Sequence, residues 1–244
     1  MSILLRYGAL TLAFAAPALP GHAQFVGGVF GPGVNDGDRT AELRFGILPE
    51  NGAGDTAVAA RFHYQHALND TFRLRGVVQG RDTGDGDFDY QLFQGEAQWQ
   101  IVETTPSGYS SALRFDVTLR DRGSNSVALN WTNQWNLDER WQARAILLTF
   151  YGIGDEAFDG VGLQTRTRLT YKLDNGFSVG AINFSSYGNT DAGLGGFNDQ
   201  NHAIGPMASG KFEGSDWSWW AGALLGLSDG AADEDFQVRL TKSF

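Results

Sequence analysis

A local pattern that recurs five times constrains this chain more than any other feature. A polar turn comes first, an aromatic follows one or two residues later, and a strand-like alternation comes next. The turns are Asn69-Asp70, Pro106-Ser107-Gly108, Asp138-Glu139-Arg140, Asp174-Asn175-Gly176 and Gly214-Ser215-Asp216. The aromatics are Phe72, Tyr109, Trp141, Phe177 and Trp217, and Phe244 stands at the end of the last segment. A sheet in water has no reason to hold an aromatic at one level of every second strand. A sheet closed inside a membrane does, because rings with an apolar body and a polar edge settle where headgroups meet hydrocarbon.

The segments between turns alternate with period 2, the signature of a strand with two different faces. In 40–48, Ala41, Leu43, Phe45 and Ile47 oppose Glu42 and Arg44. In 71–79, Phe72, Leu74 and Val78 oppose Arg73, Arg75 and Gln79. In 110–120, Leu113, Phe115, Val117 and Leu119 oppose Arg114, Asp116, Thr118 and Arg120. The stretch 141–151 is apolar on both faces, 177–186 and 202–212 are less regular, and Pro206 weakens the last of these. Counting all such segments predicts an all-β, twelve-stranded antiparallel up-and-down transmembrane β-barrel, or ten strands if two weak segments fail. Connections sort by parity. The five turns above are short, whereas 48–55, 81–87, 121–125, 152–160, 187–201 and 228–235 are mostly longer and rich in Gly and Asp, as external loops of such barrels are.

Residues 1–23 read as a secretory leader, with Arg6 ahead of the apolar run 9–18 and a small-x-small site at Gly21-His22-Ala23. Residues 24–38 are Gly-rich without a period and read as a lead-in or a plug segment, and 39–244 as the barrel. No other run is long and apolar enough for a spanning helix. Cysteine is absent, so stability must come from closure and packing. Loss of Arg6 lowers Lys plus Arg from 18 to 17 against 28 acids, a net charge of about −11. Nucleic acid is a poor partner at that charge.

The pattern after residue 38 resembles the outer-membrane β-barrel proteins of Gram-negative bacteria. Its last segment, with Phe236, Val238, Leu240 and Phe244 alternating, is similar to the C-terminal signal read by the barrel-assembly machinery. Lys242 departs from that signal, and a lysine can snorkel at the interface. The resemblance implies location in the outer membrane, contact with its lipid and lipopolysaccharide, and engagement of the assembly machinery through the Phe244 end. A barrel of this size with an arginine-rich lumen is similar to small channels that pass acidic oligosaccharides.

Placing the apolar faces against lipid sends Arg44, Arg61, Arg73, Arg75, Arg114, Arg120, Arg144, Arg166, Arg168, Lys172 and Arg239 into the lumen. Glu42, Glu96 and Asp116 accompany them, which predicts eleven cations against three acids. The external connections carry fifteen acids with only Arg81 and Arg122 as bases. A one-residue slip would move the arginines into lipid at about 2–4 kcal/mol each near the midplane. Water held among such cations concentrates anions, and guanidinium forks suit carboxylates, phosphates and sulfates.

Three functions follow from these features. The first is passive passage of small anionic solutes along the arginine ladder. The second is a non-conducting structural or surface-interaction barrel, in which salt-bridged arginines fill the interior. The third is a lipid-modifying enzyme, which needs a nucleophile beside a base. His63 is expected in the lumen, His66 near a short turn and His202 near an external loop, with no catalytic pair on the lipid-facing rim and no Gly-x-Ser-x-Gly elbow. The sequence is therefore read as a non-enzyme. The acidic stretches around 82–89 and 229–235 do not have the spacing of an EF-hand, and no metal or cofactor is assigned.

Overall fold

A computed structural model describes residues 26–49, 55–82, 84, 86–103, 108–155, 157 and 159–244. The expected leader at 1–23, Gln24, Asp85, and Pro106 and Ser107 of the second turn lie outside the described residues.

Twelve strands follow one another: β1 (Arg39–Leu48), β2 (Ala57–Ala67), β3 (Phe72–Asp82), β4 (Asp89–Val102), β5 (Tyr109–Arg120) and β6 (Asn125–Asn136). The second half comprises β7 (Trp141–Ile153), β8 (Val161–Lys172), β9 (Ser178–Asn189), β10 (Asn201–Lys211), β11 (Trp217–Gly226) and β12 (Glu234–Ser243). Each pairs antiparallel with its sequence neighbours, and β1 closes the sheet on β12, with Leu43 opposite both Leu240 and Phe62. Strands of 10–14 residues are long enough to cross a bilayer when tilted.

The ten-strand alternative is overturned, because β9 and β10 form and pair along their lengths. Pro206 is accommodated locally: the β10–β11 ladder has no partners at Gly205 and Pro206 and resumes at Met207. Its missing N–H therefore costs no ladder bond on that side. At Gly205 an added Cβ would lie 1.7 Å from the Ala223 carbonyl oxygen, so the close approach there requires glycine.

The two faces separate as the alternation dictates. Phe45, Phe62, Phe93, Phe115, Leu129, Leu147, Phe236 and Val238 are exposed on the outer wall. A continuous apolar surface of that extent is the surface a lipid bilayer covers. The ring residues face outward too: Phe72, Tyr109, Trp141, Phe177, Trp217 and Phe244 range from 37% to 73% exposed. Several meet partners across neighbouring strands near the same end. Tyr109 lies 5.6 Å from Trp135, Trp141 lies 4.9 Å from Tyr171, and Phe72 is register-paired with Trp99. Lys242 shares this level opposite Trp217. Its ammonium donates to Asp216 at 3.2 Å and lies 6.0 Å from the Trp217 and Phe244 rings, a snorkelled position.

Candidate functional site in the barrel lumen

The ten predicted arginines all project inward. Arg44, Arg114 and Arg239 are 6–7% exposed, and Arg61, Arg73, Arg75, Arg120, Arg144, Arg166 and Arg168 are half-buried. The register gathers them into rows. Arg239, Arg44 and Arg61 are direct cross-strand partners on β12, β1 and β2, with Trp220 beside Arg239 and Gln79 beside Arg61. On the other flank Arg75 faces Glu96, which in turn faces Asp116. Arg75 Nε donates to Glu96 at 2.6 Å, Arg114 Nη1 reaches the same carboxylate at 3.2 Å, and Arg114 Nη2 donates to Asp116 at 2.7 Å. Arg144 faces Arg168, and Arg144 Nε donates to Gln134 at 2.6 Å. Arg120 sits higher, donating to the Ser124 carbonyl at 2.8 Å.

Four charges expected in external connections lie on strands: Arg81 and Asp82 close β3, and Glu234 and Asp235 open β12. Asp235, expected in the last external connection, belongs to β12 and faces inward with Gln237 and Arg239, its carboxylate accepting from Gln237 Nε2 at 3.0 Å. The strand begins two residues earlier than the hydrophobic alternation suggests, because its first inward residue is an acid. Among the described residues these ten arginines face four carboxylates, Glu42, Glu96, Asp116 and Asp235.

Two further features of the lumen carried little sequence signal. The first is an apolar sector. Ile146, Leu148, Ile182, Phe184, Met207, Trp220 and Leu224 point inward and pack together. They come from β7, β9, β10 and β11; on β7 and β11 both faces are largely apolar, and on β9 the inward Ile182 and Phe184 alternate with outward Asn183 and Ser185. The second is the segment 26–34, which runs through the lumen. Val29 packs into the apolar sector, and Phe30 lies with Arg114 Cζ 3.7 Å above its ring. The segment's carbonyls accept from lumenal side chains. Arg239 Nη2 donates to Gly27 at 2.7 Å, Arg44 Nη1 to Val26 at 3.3 Å and Arg166 Nη1 to Gly28 at 3.3 Å. Thr132 donates to Phe30 at 3.1 Å, Gln98 to Pro32 at 2.9 Å and Arg73 Nη2 to Gly31 at 3.4 Å. The glycine spacing has a steric cause: a Cβ at Gly28 would lie 2.5 Å from Arg44 Nη1, and one at Gly31 2.9 Å from Arg144 Cζ. Close approach of backbone to guanidinium is what the Gly-rich composition permits.

A cavity of about 120 Å³ lies above this segment, lined by Gly28, Phe30, Arg44, Arg61, Arg75 and Arg114 among others. His63 lines it as well, buried, with neither ring nitrogen hydrogen-bonded and Nδ1 4.0 Å from Glu42.

On the outer wall the structure corrects the expectation that no histidine pairs with a nucleophile there. His202 and Ser185 are register partners facing outward. Their Nδ1 and Oγ are 2.9 Å apart, and His202 Nε2 is 2.7 Å from Gln200 Oε1. Both are buried beneath the external connection, with the Phe197 ring stacked on the imidazole at 4.5 Å. The His202 amide donates to Ser228 Oγ at 2.9 Å, on the side away from β9. The cluster fastens the connection to the wall.

These features define a fold class, the closed twelve-stranded antiparallel barrel of outer-membrane proteins, with a basic interior. No family model and no curated sequence relative matches the chain. Among solved structures the chain is similar to KdgM porin, with a TM-score of 0.61 and 11% identity over 84% of this chain and 99% of that one. It is also similar to the COG4313 outer membrane channel from Pseudomonas putida F1, with a TM-score of 0.62 and 11% identity over 86% of this chain and 97% of that one. A further structure shows KdgM porin in complex with disordered oligogalacturonate, again at 11% identity. At this identity the likeness is one of fold.

Proposed function

We propose that this protein is a passive channel of the Gram-negative outer membrane that favours small anionic solutes. The observation that carries the reading is the enclosed row of Arg239, Arg44 and Arg61, directly adjacent on three strands, in a lumen where cations outnumber carboxylates. Like charges set side by side are unfavourable unless anions or acceptors visit them. A wet, basic interior with low-dielectric walls concentrates anions and repels cations. KdgM porin, which shares the fold, has been seen in complex with disordered oligogalacturonate, in keeping with anion passage. The leader at 1–23, the apolar wall and the aromatic ring at Phe72, Tyr109, Trp141, Phe177, Trp217 and Phe244 support export into that membrane and contact with its lipopolysaccharide. The C-terminal strand ending in Phe244 is the element the assembly machinery would take up.

The test is the reversal potential in a planar bilayer under a salt gradient. Its sign should report anion preference, and replacing Arg73 and Arg75 by Glu should reduce that preference. Cation preference in the wild-type protein would refute the reading. A second reading, a non-conducting structural barrel, is favoured by one observation: residues 26–34 run through the lumen. Removing them should raise conductance if the barrel is a channel and leave it near the bilayer background if it is not.

A further inference from the structure

The lumen is not uniformly basic. β9 and β11 contain no charged residue, and the inward side chains of this sector, among them Ile182, Phe184, Met207 and Leu224, form an apolar wall. Arginines border it and stack on its rings: Arg239 Cζ lies 3.9 Å from the Trp220 ring centroid and Arg166 Cζ 5.0 Å from that of Phe184. A purely hydrophilic anion would leave this wall against water, and a purely apolar solute would strand the guanidinium groups without acceptors.

The segment 26–34 meets both demands. Its carbonyls face the arginines, Val29 enters the apolar wall, and Phe30 lies flat beneath Arg114. The match is incomplete, because buried Arg239 Nε and Arg166 Nε have no hydrogen-bond partner. Neutral carbonyl oxygens offer less to a guanidinium than a carboxylate does, since charge-assisted forks are the stronger bonds.

We infer that the lumen is a binding site for amphipathic carboxylates, acids with a compact aryl or alkyl body, and that residues 26–34 occupy it as a tethered stand-in for that ligand. The carboxylate takes the Arg239–Arg44 end of the row, and the apolar body lies along the Ile182 and Phe184 wall. Bound ligand and resident segment exclude one another, so the segment holds the lumen closed until an acid of this class replaces it. The inference deepens the channel reading and rests on it for the route of passage, while binding itself is measured without conduction.

The experiment uses the full-length processed chain in lipid nanodiscs, titrated calorimetrically with empty discs as the blank. The probes are sodium 4-phenylbutyrate, sodium digalacturonate and neutral 4-phenylbutanol. Phenylbutyrate should bind at least tenfold more tightly than digalacturonate, and phenylbutanol should show no saturable heat above the blank. Phe184→Asn with Ile182→Asn should remove the preference for phenylbutyrate. Val29→Ser with Phe30→Ser leaves every strand intact, loosens the stand-in and should tighten phenylbutyrate severalfold. Equal or tighter binding of digalacturonate overturns the inference, as does a phenylbutyrate affinity unmoved by the Val29 and Phe30 changes. Bilayer conductance of the same preparation separates the two claims. Anion conduction without this preference sinks the inference alone, and binding without conduction sinks the channel reading alone.

Discussion

Glu96 is the carboxylate on which two lumenal guanidinium groups converge, so Glu96→Gln is an informative single change. Arg75 Nε donates to it at 2.6 Å and Arg114 Nη1 lies 3.2 Å away, with all three side chains 5–10% exposed. At an effective dielectric near 20, each contact of about 4 Å between unit charges is worth roughly 4 kcal/mol. Two such contacts are lost in the variant. Against this stand the repulsion relieved at Asp116, which faces Glu96 in register, and the desolvation of Glu96 that the amide avoids. Removing one partner from a buried ion pair typically costs about 3–5 kcal/mol, and that range is expected here. With a urea slope of about 2 kcal/mol per molar, the unfolding midpoint in lipid vesicles should fall by about 2 M. The same change adds one net positive charge to the lumen, so the reversal potential should move further toward anion preference. A midpoint shift equivalent to less than about 1 kcal/mol would show that water, not protein, surrounds this carboxylate, and the reasoning would fail.

Three further outcomes follow from the same structure. Trp141→Ala removes a tilted ring pair with Tyr171 at 4.9 Å and should cost about 1 kcal/mol from the pair alone, read as a lower unfolding midpoint in vesicles; an unchanged midpoint would remove Trp141 from the anchoring ring. The Asp138 carboxylate accepts the Trp141 and Arg140 amide N–H groups at 2.6 and 2.7 Å, which holds its pKa below the usual carboxylate range. That contribution is complete above the unfolded value near 3.9 and is lost as pH falls through the lower folded value, so Asp138→Asn should flatten the midpoint-versus-pH curve below about pH 4, and identical curves would refute this. The acidic external connections should oppose anion entry most at low ionic strength, where the screening length is about 30 Å against about 8 Å at 0.15 M. Anion preference should therefore rise between 10 mM and 150 mM salt, and a fall would place the selectivity at exposed charges instead.

The barrel was legible because its physics is periodic. Arg73, Arg75, Arg114 and Arg120 sit opposite Leu74, Leu113, Phe115 and Leu119, and two solvents on two faces leave one register open. The lumen was less legible. Asp235 shares the parity of Gln237 and Arg239, so extending the alternation by two residues would have found it. The apolar sector erased its own signal: Ile146 and Leu224 point inward from strands whose outward residues are largely apolar too, and Ile182 and Phe184 point inward beside outward Asn183 and Ser185, which inverts the usual alternation. The segment 26–34 has no period, since each residue answers to a different partner across the lumen. Its one clue was the run of glycines; at Gly28 and Gly31 the missing side chain matters only beside guanidinium groups contributed by strands remote in sequence.

The arginine row sets a condition on any open state. Arg239, Arg44 and Arg61 occupy directly opposed positions, where side-chain origins are about 5 Å apart. Three like charges in one row repel one another wherever no acceptor lies between them. Among them Arg44 reaches the Glu42 carboxylate, Arg61 has the Gln79 carboxamide, and Arg44 and Arg239 share the carbonyls of Val26 and Gly27. Withdrawing the segment removes acceptors from two of the three guanidinium groups while leaving their mutual repulsion in place. An emptied lumen is therefore less stable than one filled by the segment or one filled by an anion. In the proposed channel, opening and anion binding are linked equilibria, and the population of the open barrel rises with the concentration of an acid of the proposed class.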